Sequence, residues 1–211
     1  MDASTNSERK KILESVVKHI FRHGFSNLTM DDVAMMHRMS KKTIYHYFTS
    51  KDDLLTAAVK SQLEFMEETI GGIVNSSLPV PQKVNKLIET VTKFFGGIGK
   101  DMPLDIQRSR PDLWKMIDEF RVSKIFPKIE MIFQQGKAEK YIDEAYDSTI
   151  FMQMLINAAQ TFINPQYLSN SPHPPPVVFR MVVSTLFFGV LTEKGRDEFN
   201  FKELNHPKFP A

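Results

Sequence analysis

Apolar positions recur at steps of three and four along most of this chain. No stretch alternates convincingly with period two, so the pattern predicts an all-α protein. Ile12, Leu13, Val16, Val17, Ile20 and Phe21 share one face of a helix over residues 7–23, which Gly24 stops. Leu54, Leu55, Ala58, Leu63, Met66, Ile70 and Ile73 predict one long helix from Lys51 to about Asn75, with Gly71-Gly72 weakening its last turn. The pattern then predicts a helix over 81–95 and another from Pro111, kinked or split at Pro127 and running to Gly136. Two more apolar helices are expected over 147–163 and 177–192. Residues 96–101 read as a flexible loop. Asn164 to Pro176 reads as a loop too proline-rich to be helical.

The densest signals lie between Thr29 and Leu55. Thr29 precedes Asp32 by three and Ser50 precedes Asp53 by three, the spacing at which a hydroxyl caps a helix start and an acid reaches back. Ser40 is placed to cap a short third helix. Between Asp31 and Ser40 there is room for about two turns of helix and a tight turn, the size of a helix-turn-helix. In the third helix Ile44 and Phe48 are four apart and point inward. Lys41, Lys42, Thr43, Tyr45, His46 and Tyr47 then face out, a set suited to phosphates and base edges in a major groove. The plainer reading is a solvated amphipathic helix that happens to be basic.

The run Met39-Ser40-Lys41-Lys42-Thr43-Ile44-Tyr45-His46-Tyr47-Phe48-Thr49-Ser50-Lys51-Asp52-Asp53-Leu54 resembles the signature of the TetR family of transcriptional regulators, and Gly24-Phe25 and Leu28-Thr29 to Val33-Ala34 resemble the segment before it. The likeness covers roughly residues 8 to 60. It departs at one place: His37-Arg38 stands where the family usually carries Ala-Gly. Glycine accepts φ > 0 cheaply, so Arg38 is either mildly strained or in an altered turn.

The resemblance implies a helix-turn-helix DNA-binding domain over residues 1–54 and a larger helical effector-binding and dimerisation domain over 55–211. It implies a ligand-responsive repressor that binds a palindromic operator in double-stranded DNA as a homodimer, paired through about Asp147–Ile163 and Val177–Thr192. Those two helices are apolar on more than one side, which independently asks for a partner surface. Lys41 and Lys42 are the candidates for base edges. Carried over position by position, Tyr45 resembles a base-methyl or backbone contact, and Thr43, His46 and Tyr47 resemble phosphate or mixed contacts. Lys51 at the start of the long helix and Thr29 at the start of the second resemble phosphate contacts. The effector implied is a small apolar or aromatic molecule. Residues 81–165 are rich in Phe and Met, and Trp114, Phe120 and Phe151 are the expected wall, with Gln107, Asn157 and Arg121 as polar candidates. The alternative is a ligand-binding or interaction module on the same scaffold whose altered turn has impaired DNA reading.

Charge agrees with this division. Residues 1–60 hold ten Lys/Arg against seven Asp/Glu, a net of +3, while the remainder nets −1. The absence of cysteine excludes disulfides, thiolate metal sites and cysteine catalysis. No apolar run reaches the ~18–20 residues of a membrane span, and the N-terminus is polar, so a soluble cytoplasmic protein is expected. His19 and His23 have chelating spacing but no third ligand nearby, and read as surface histidines rather than a metal site. The Gly-rich loop lacks the spacing and preceding strand of a P-loop, and no catalytic constellation is visible. No enzyme activity, cofactor or metal is expected.

Overall fold

The computed structural model describes residues 3–199, and among them there is no strand. An isolated antiparallel bridge joins Ile142 and Leu191. The helices are α1 (Ala3–His23), α2 (Met30–His37), α3 (Lys41–Tyr47), α4 (Lys51–Val74), α5 (Val80–Gly96), α6 (Met102–Ser109), α7 (Pro111–Phe120), α8 (Phe126–Ala138), α9 (Ser148–Phe162), α10 (Pro165–Asn170), α11 (Pro175–Val190) and α12 (Glu193–Glu198). One π turn, Arg121–Ile125, separates α7 from α8, and Pro127 stands in the first turn of the new helix. The all-α expectation holds.

The local signals act as their chemistry dictates. Gly24 closes α1 with φ 87. Thr29 caps α2 by accepting from Asp32 N while Asp32 Oδ2 accepts from Thr29 N at 2.9 Å, a complete capping box. Ser40 Oγ accepts from Thr43 N at 3.0 Å and starts α3. Ser50 Oγ accepts from Asp53 N at 3.0 Å, but the Asp53 carboxylate turns to Thr49 N at 2.8 Å rather than closing the box on Ser50.

One expectation fails and two short helices go unannounced. The stretch Asn164 to Pro176 is not all loop: α10 occupies Pro165–Asn170. Its proline stands at the first helical position, where the missing N–H is no loss, and Asn164 Oδ1 accepts from Tyr167 N at 2.8 Å as the cap. The pattern also passes over α6 and α12, whose runs are too short to show a period.

The chain forms two compact units, Met1–Met66 with Gly97–Asp118 and Glu67–Gly96 with Glu119–Ala211. In the first, Ile12, Val16, Ile20, Leu28, Val33, Ile44, Phe48, Leu54 and Ala58 form a core that Met102, Ile106 and Leu113 complete. Each of these side chains larger than alanine contributes about 1.5–3 kcal/mol by leaving water. Polar contacts fix the added segment. Asp105 Oδ2 accepts from Phe25 N at 2.6 Å and Ser26 N at 3.0 Å, and Oδ1 accepts from Ser26 Oγ. Gly99 N donates to Phe21 O at 3.0 Å. Arg110 reaches Asp52 at 3.2 Å and Thr56 Oγ1 at 3.1 Å on α4, and holds Asp112 at 2.7 Å.

In the second unit Phe151 stacks on Phe133 with centroids 4.6 Å apart and meets Phe187 edge-on at 5.1 Å. Ile163, Leu168 and Val178 form a further cluster, against which Phe95 and Phe179 pack. The buried Lys83 ammonium donates to Val74 O at 2.7 Å, satisfying the end of α4, and to Gln135 Oε1 at 2.8 Å. Among the described residues no helix is long and apolar enough to cross a membrane.

Burial raises the Asp105 carboxyl's pKa, but the hydrogen bonds from Ser26 and Phe25 and the Lys51 charge outweigh it and hold the pKa below the ordinary value. The folded state therefore binds this proton less readily than the unfolded chain. The stabilisation is full above about pH 4 and fades as pH falls through the folded-state value. Asp105→Asn should lower stability by about 1–2 kcal/mol at neutral pH and flatten the acid limb of the unfolding curve, read by denaturant melts at several pH values.

Candidate nucleic-acid interface

A helix of seven residues has too few hydrogen bonds to persist alone, so α3 exists because the core holds it. Ile44 and Phe48 are fully buried, and the half-buried Tyr47 packs against the same cluster. The opposite edge carries Lys41, Lys42, Thr43, Tyr45 and His46, all exposed. Six candidates, Lys41, Lys42, Thr43, Tyr45, His46 and Tyr47, thus lie on one helix. Its outward edge holds two cations, a hydroxyl, a phenol and an imidazole.

Thr29 is exposed at the cap of α2, and its hydrogen bonds hold the Asp32 carboxyl below the usual range. Lys51 opens α4 half-buried, and its ammonium donates to Ser26 O at 3.2 Å in the turn that Asp105 grips. The front of α1 carries a basic run, Arg9-Lys10-Lys11, that is only partly free. The Arg9 guanidinium lies 4.9 Å over the Phe48 ring, and Lys11 pairs with Glu8 at 3.4 Å, while Lys10 is exposed.

The turn before α3 keeps its shape despite its unusual residues. Arg38 caps α2 in the left-handed region, φ 53 and ψ 37, and its N–H reaches Ala34 O and Met35 O. Met39 N donates to Ala34 O at 2.9 Å, and His37 Nε2 is hydrogen-bonded to Ser15 Oγ on α1. Arg38 thus accepts a strained backbone, costing a non-glycine residue about 1–2 kcal/mol, instead of altering the turn.

One contact escapes sequence reasoning. The Lys41 ammonium pairs with Asp31 Oδ2 on α2 at 2.8 Å, across ten residues. The hydrogen bond and charge of Asp31 hold Lys41 above its ordinary pKa. No local spacing announces the pair, because the turn at Arg38 creates it.

The candidate effector residues are not gathered as clearly. Trp114 packs against the core of the first unit, half-buried. Phe151 is buried in the second unit between Phe133 and Phe187, and Phe120 is half-buried at the end of α7. Gln107 is half-buried on α6, Arg121 is half-buried in the π turn, and Asn157 is exposed, accepting from Gln153 Nε2 at 3.2 Å. A hollow of about 420 Å³ in the second unit is lined by Thr161, Asn164, Tyr167 and Asn170 among others, and none of the candidates borders it. His19 and His23 sit with ring centroids 4.8 Å apart, and no cluster of metal-ligating side chains occurs among the described residues.

Residues 12–58 match the model of the bacterial regulatory proteins of the tetR family, over the helices that build this edge. Residues 12–58 thus carry the family's N-terminal domain. It is 25% identical over 189 residues to YvaF of Bacillus subtilis (strain 168), an uncharacterized HTH-type transcriptional regulator, covering 89% of this chain and 98% of that one. Solved structures share the fold. A TetR-family regulator from Cytophaga hutchinsonii superposes with a TM-score of 0.66 at 16% identity, covering 92% of this chain and 99% of that one. FadR from Bacillus subtilis, solved in complex with stearoyl-CoA, gives 0.61 at 17% identity over 86% and 98%. The chain accordingly carries a tetR-type helix-turn-helix at its N-terminal end and is similar along its length to a transcriptional regulator.

The Asp31–Lys41 pair sets an expectation. A carboxylate beside the outward edge repels any phosphate backbone and occupies one cation. Asp31→Asn should therefore tighten binding to random duplex more than to the preferred sequence, lowering the ratio between them, as read by fluorescence anisotropy on both duplexes.

Proposed function

We propose that this protein is a TetR-family regulator, a homodimeric repressor that reads a palindromic operator through α3 and is released by a small apolar or aromatic effector. The observation that carries the reading is the edge of α3, where Lys41, Lys42, Thr43, Tyr45 and His46 stand exposed over the buried anchors Ile44 and Phe48. Residues 1–54 form the reading head in this account. Residues 55–211 hold the effector and the dimer surface, apart from Gly97–Asp118, which also braces the head.

Roles follow from position. Lys41 and Lys42 donate to base edges, where guanine O6 and N7 accept. Tyr45 meets a base methyl or the backbone. Thr43, His46 and Tyr47 complete the contacts to phosphate, and Thr29 and Lys51 hold the backbone on either side. The dimer reading is supported by large apolar side chains that one chain leaves in water: Ile150 and Met154 on α9 are 65% and 52% exposed, and Met181 on α11 is 56% exposed. Effector binding draws on the aromatic side chains of the second unit, where Phe120 is half-buried and Phe151 sits in the core beside Phe133 and Phe187. FadR, of the same fold, has been seen with stearoyl-CoA. A bound effector tilts α4, continuous from Lys51 to Val74, and shifts the spacing of two heads that must sit roughly 34–36 Å apart or a multiple of it.

Two substitutions separate base reading from backbone holding. Lys42→Ala should relax sequence preference by about 1–3 kcal/mol at one position of each half-site, whereas Lys51→Ala should weaken every duplex alike and flatten the salt dependence. Equal losses on cognate and random DNA for Lys42→Ala would count against its base-reading role. For the dimer, Met154→Asp with Met181→Asp should yield a folded monomer in sedimentation that has lost the palindrome but keeps weak, salt-sensitive duplex binding. A dimer unchanged by both would move the interface elsewhere.

A further inference from the structure

Among the described residues, Arg38 and Lys140 are the non-glycine residues with positive φ, at 53° and 63°. Lys140 is engaged within the fold. Its ammonium pairs with Glu144 at 2.6 Å and its carbonyl accepts from Thr192 Oγ1 at 2.8 Å. The Arg38 side chain is exposed and has no hydrogen bond or ion pair to any described residue. Yet its backbone is pinned on both sides, by Ala34 O, Met35 O and the His37–Ser15 bond. A strained backbone held this firmly, carrying a side chain the fold does not use, points to a use outside the chain.

The surroundings say what that use is. Arg38 precedes Ser40, the cap of α3, and lies three residues before Lys41. Asp31 takes up the Lys41 charge at 2.8 Å, so the uncompensated cations at this corner of the interface are Arg38 and Lys42. Lys42 lies on the reading helix. Arg38 lies on the turn outside it, where a long, planar guanidinium with five donors suits the oxygens of a phosphate.

We propose that Arg38 is a DNA-backbone contact, the turn between α2 and α3 supplying a phosphate clamp at a position where glycine would be easier to accommodate. The inference rests on the DNA-reading function proposed above. Its test compares the full-length protein with Arg38→Gln, which keeps the strain and loses the charge, with Arg38→Lys, which keeps both, and with Arg38→Gly, which relieves the strain and loses the charge. Affinities are measured by anisotropy across a salt series on a duplex selected by the wild-type protein and on random duplex.

The expected result is a several-fold loss for Arg38→Gln on both duplexes, with the salt slope falling by about 0.9 for each bound reading head. Arg38→Lys should retain the slope. Arg38→Gly should bind like Arg38→Gln while unfolding at a higher temperature, which a purely structural role for the arginine would not produce. An unchanged slope and affinity in Arg38→Gln would overturn the assignment while leaving the regulator reading intact. A loss confined to the selected duplex, with unchanged slope, would also overturn it. Failure of the wild-type protein to bind any duplex in a salt-dependent way would remove the reading on which it rests.

Discussion

The burial of Ile44 and Phe48 is the contact on which the interface depends. A seven-residue helix gains too few hydrogen bonds to offset the entropy of fixing its backbone, so α3 has a defined place only while those two side chains sit in the core of α1, α2 and α4. Once they are seated, helical geometry turns Lys42, Thr43 and His46 to the opposite side, while Lys41 and Tyr45 stay exposed along the edge. Arg9 adds to the grip by covering the Phe48 ring, so part of the basic front of α1 serves to hold α3.

Around that anchor the structure places restraints at each helix start. Thr29, Ser40 and Ser50 cap three helices within twenty-two residues of chain, and the tight junctions between them leave little freedom in the angle of α3. Asp105 fastens the turn between α1 and α2, and Arg110 fastens the start of α4. These long-range clamps hold the backbone near Lys51 from outside the helix-turn-helix itself. The charge arrangement also has two sides. Asp31 beside Lys41 reduces attraction to any phosphate chain, and in the proposed function this favours discrimination over strength.

Much of this was readable along the chain because it is written in short-range chemistry. A hydroxyl three residues before an acid, two apolar residues four apart and a glycine after a helix report on neighbours within a turn or two, and α1 to α4 follow from them. The proline-rich segment misleads for a physical reason: proline is excluded from helix interiors but welcome at the first position, and Pro165 sits there behind the Asn164 cap. The hydrogen bonds of Asp105 to Phe25 and Ser26 span about eighty residues, and a single aspartate carries no mark of such a partner. The Lys41–Asp31 pair depends on the path of the chain through Arg38, and the side-chain environments of Trp114 and Phe151 depend on tertiary packing. Sequence could propose these residues as functional but not show what they touch.

The central claim is that the exposed edge of α3 reads DNA sequence, twice, in a dimer. Selection of random duplex DNA on the purified protein at about 150 mM salt tests it most directly. The account predicts a palindromic motif with fixed spacing between half-sites, bound by two chains. Weak binding with no enriched sequence would contradict it, and would leave this TetR-family fold as a ligand-binding or interaction module.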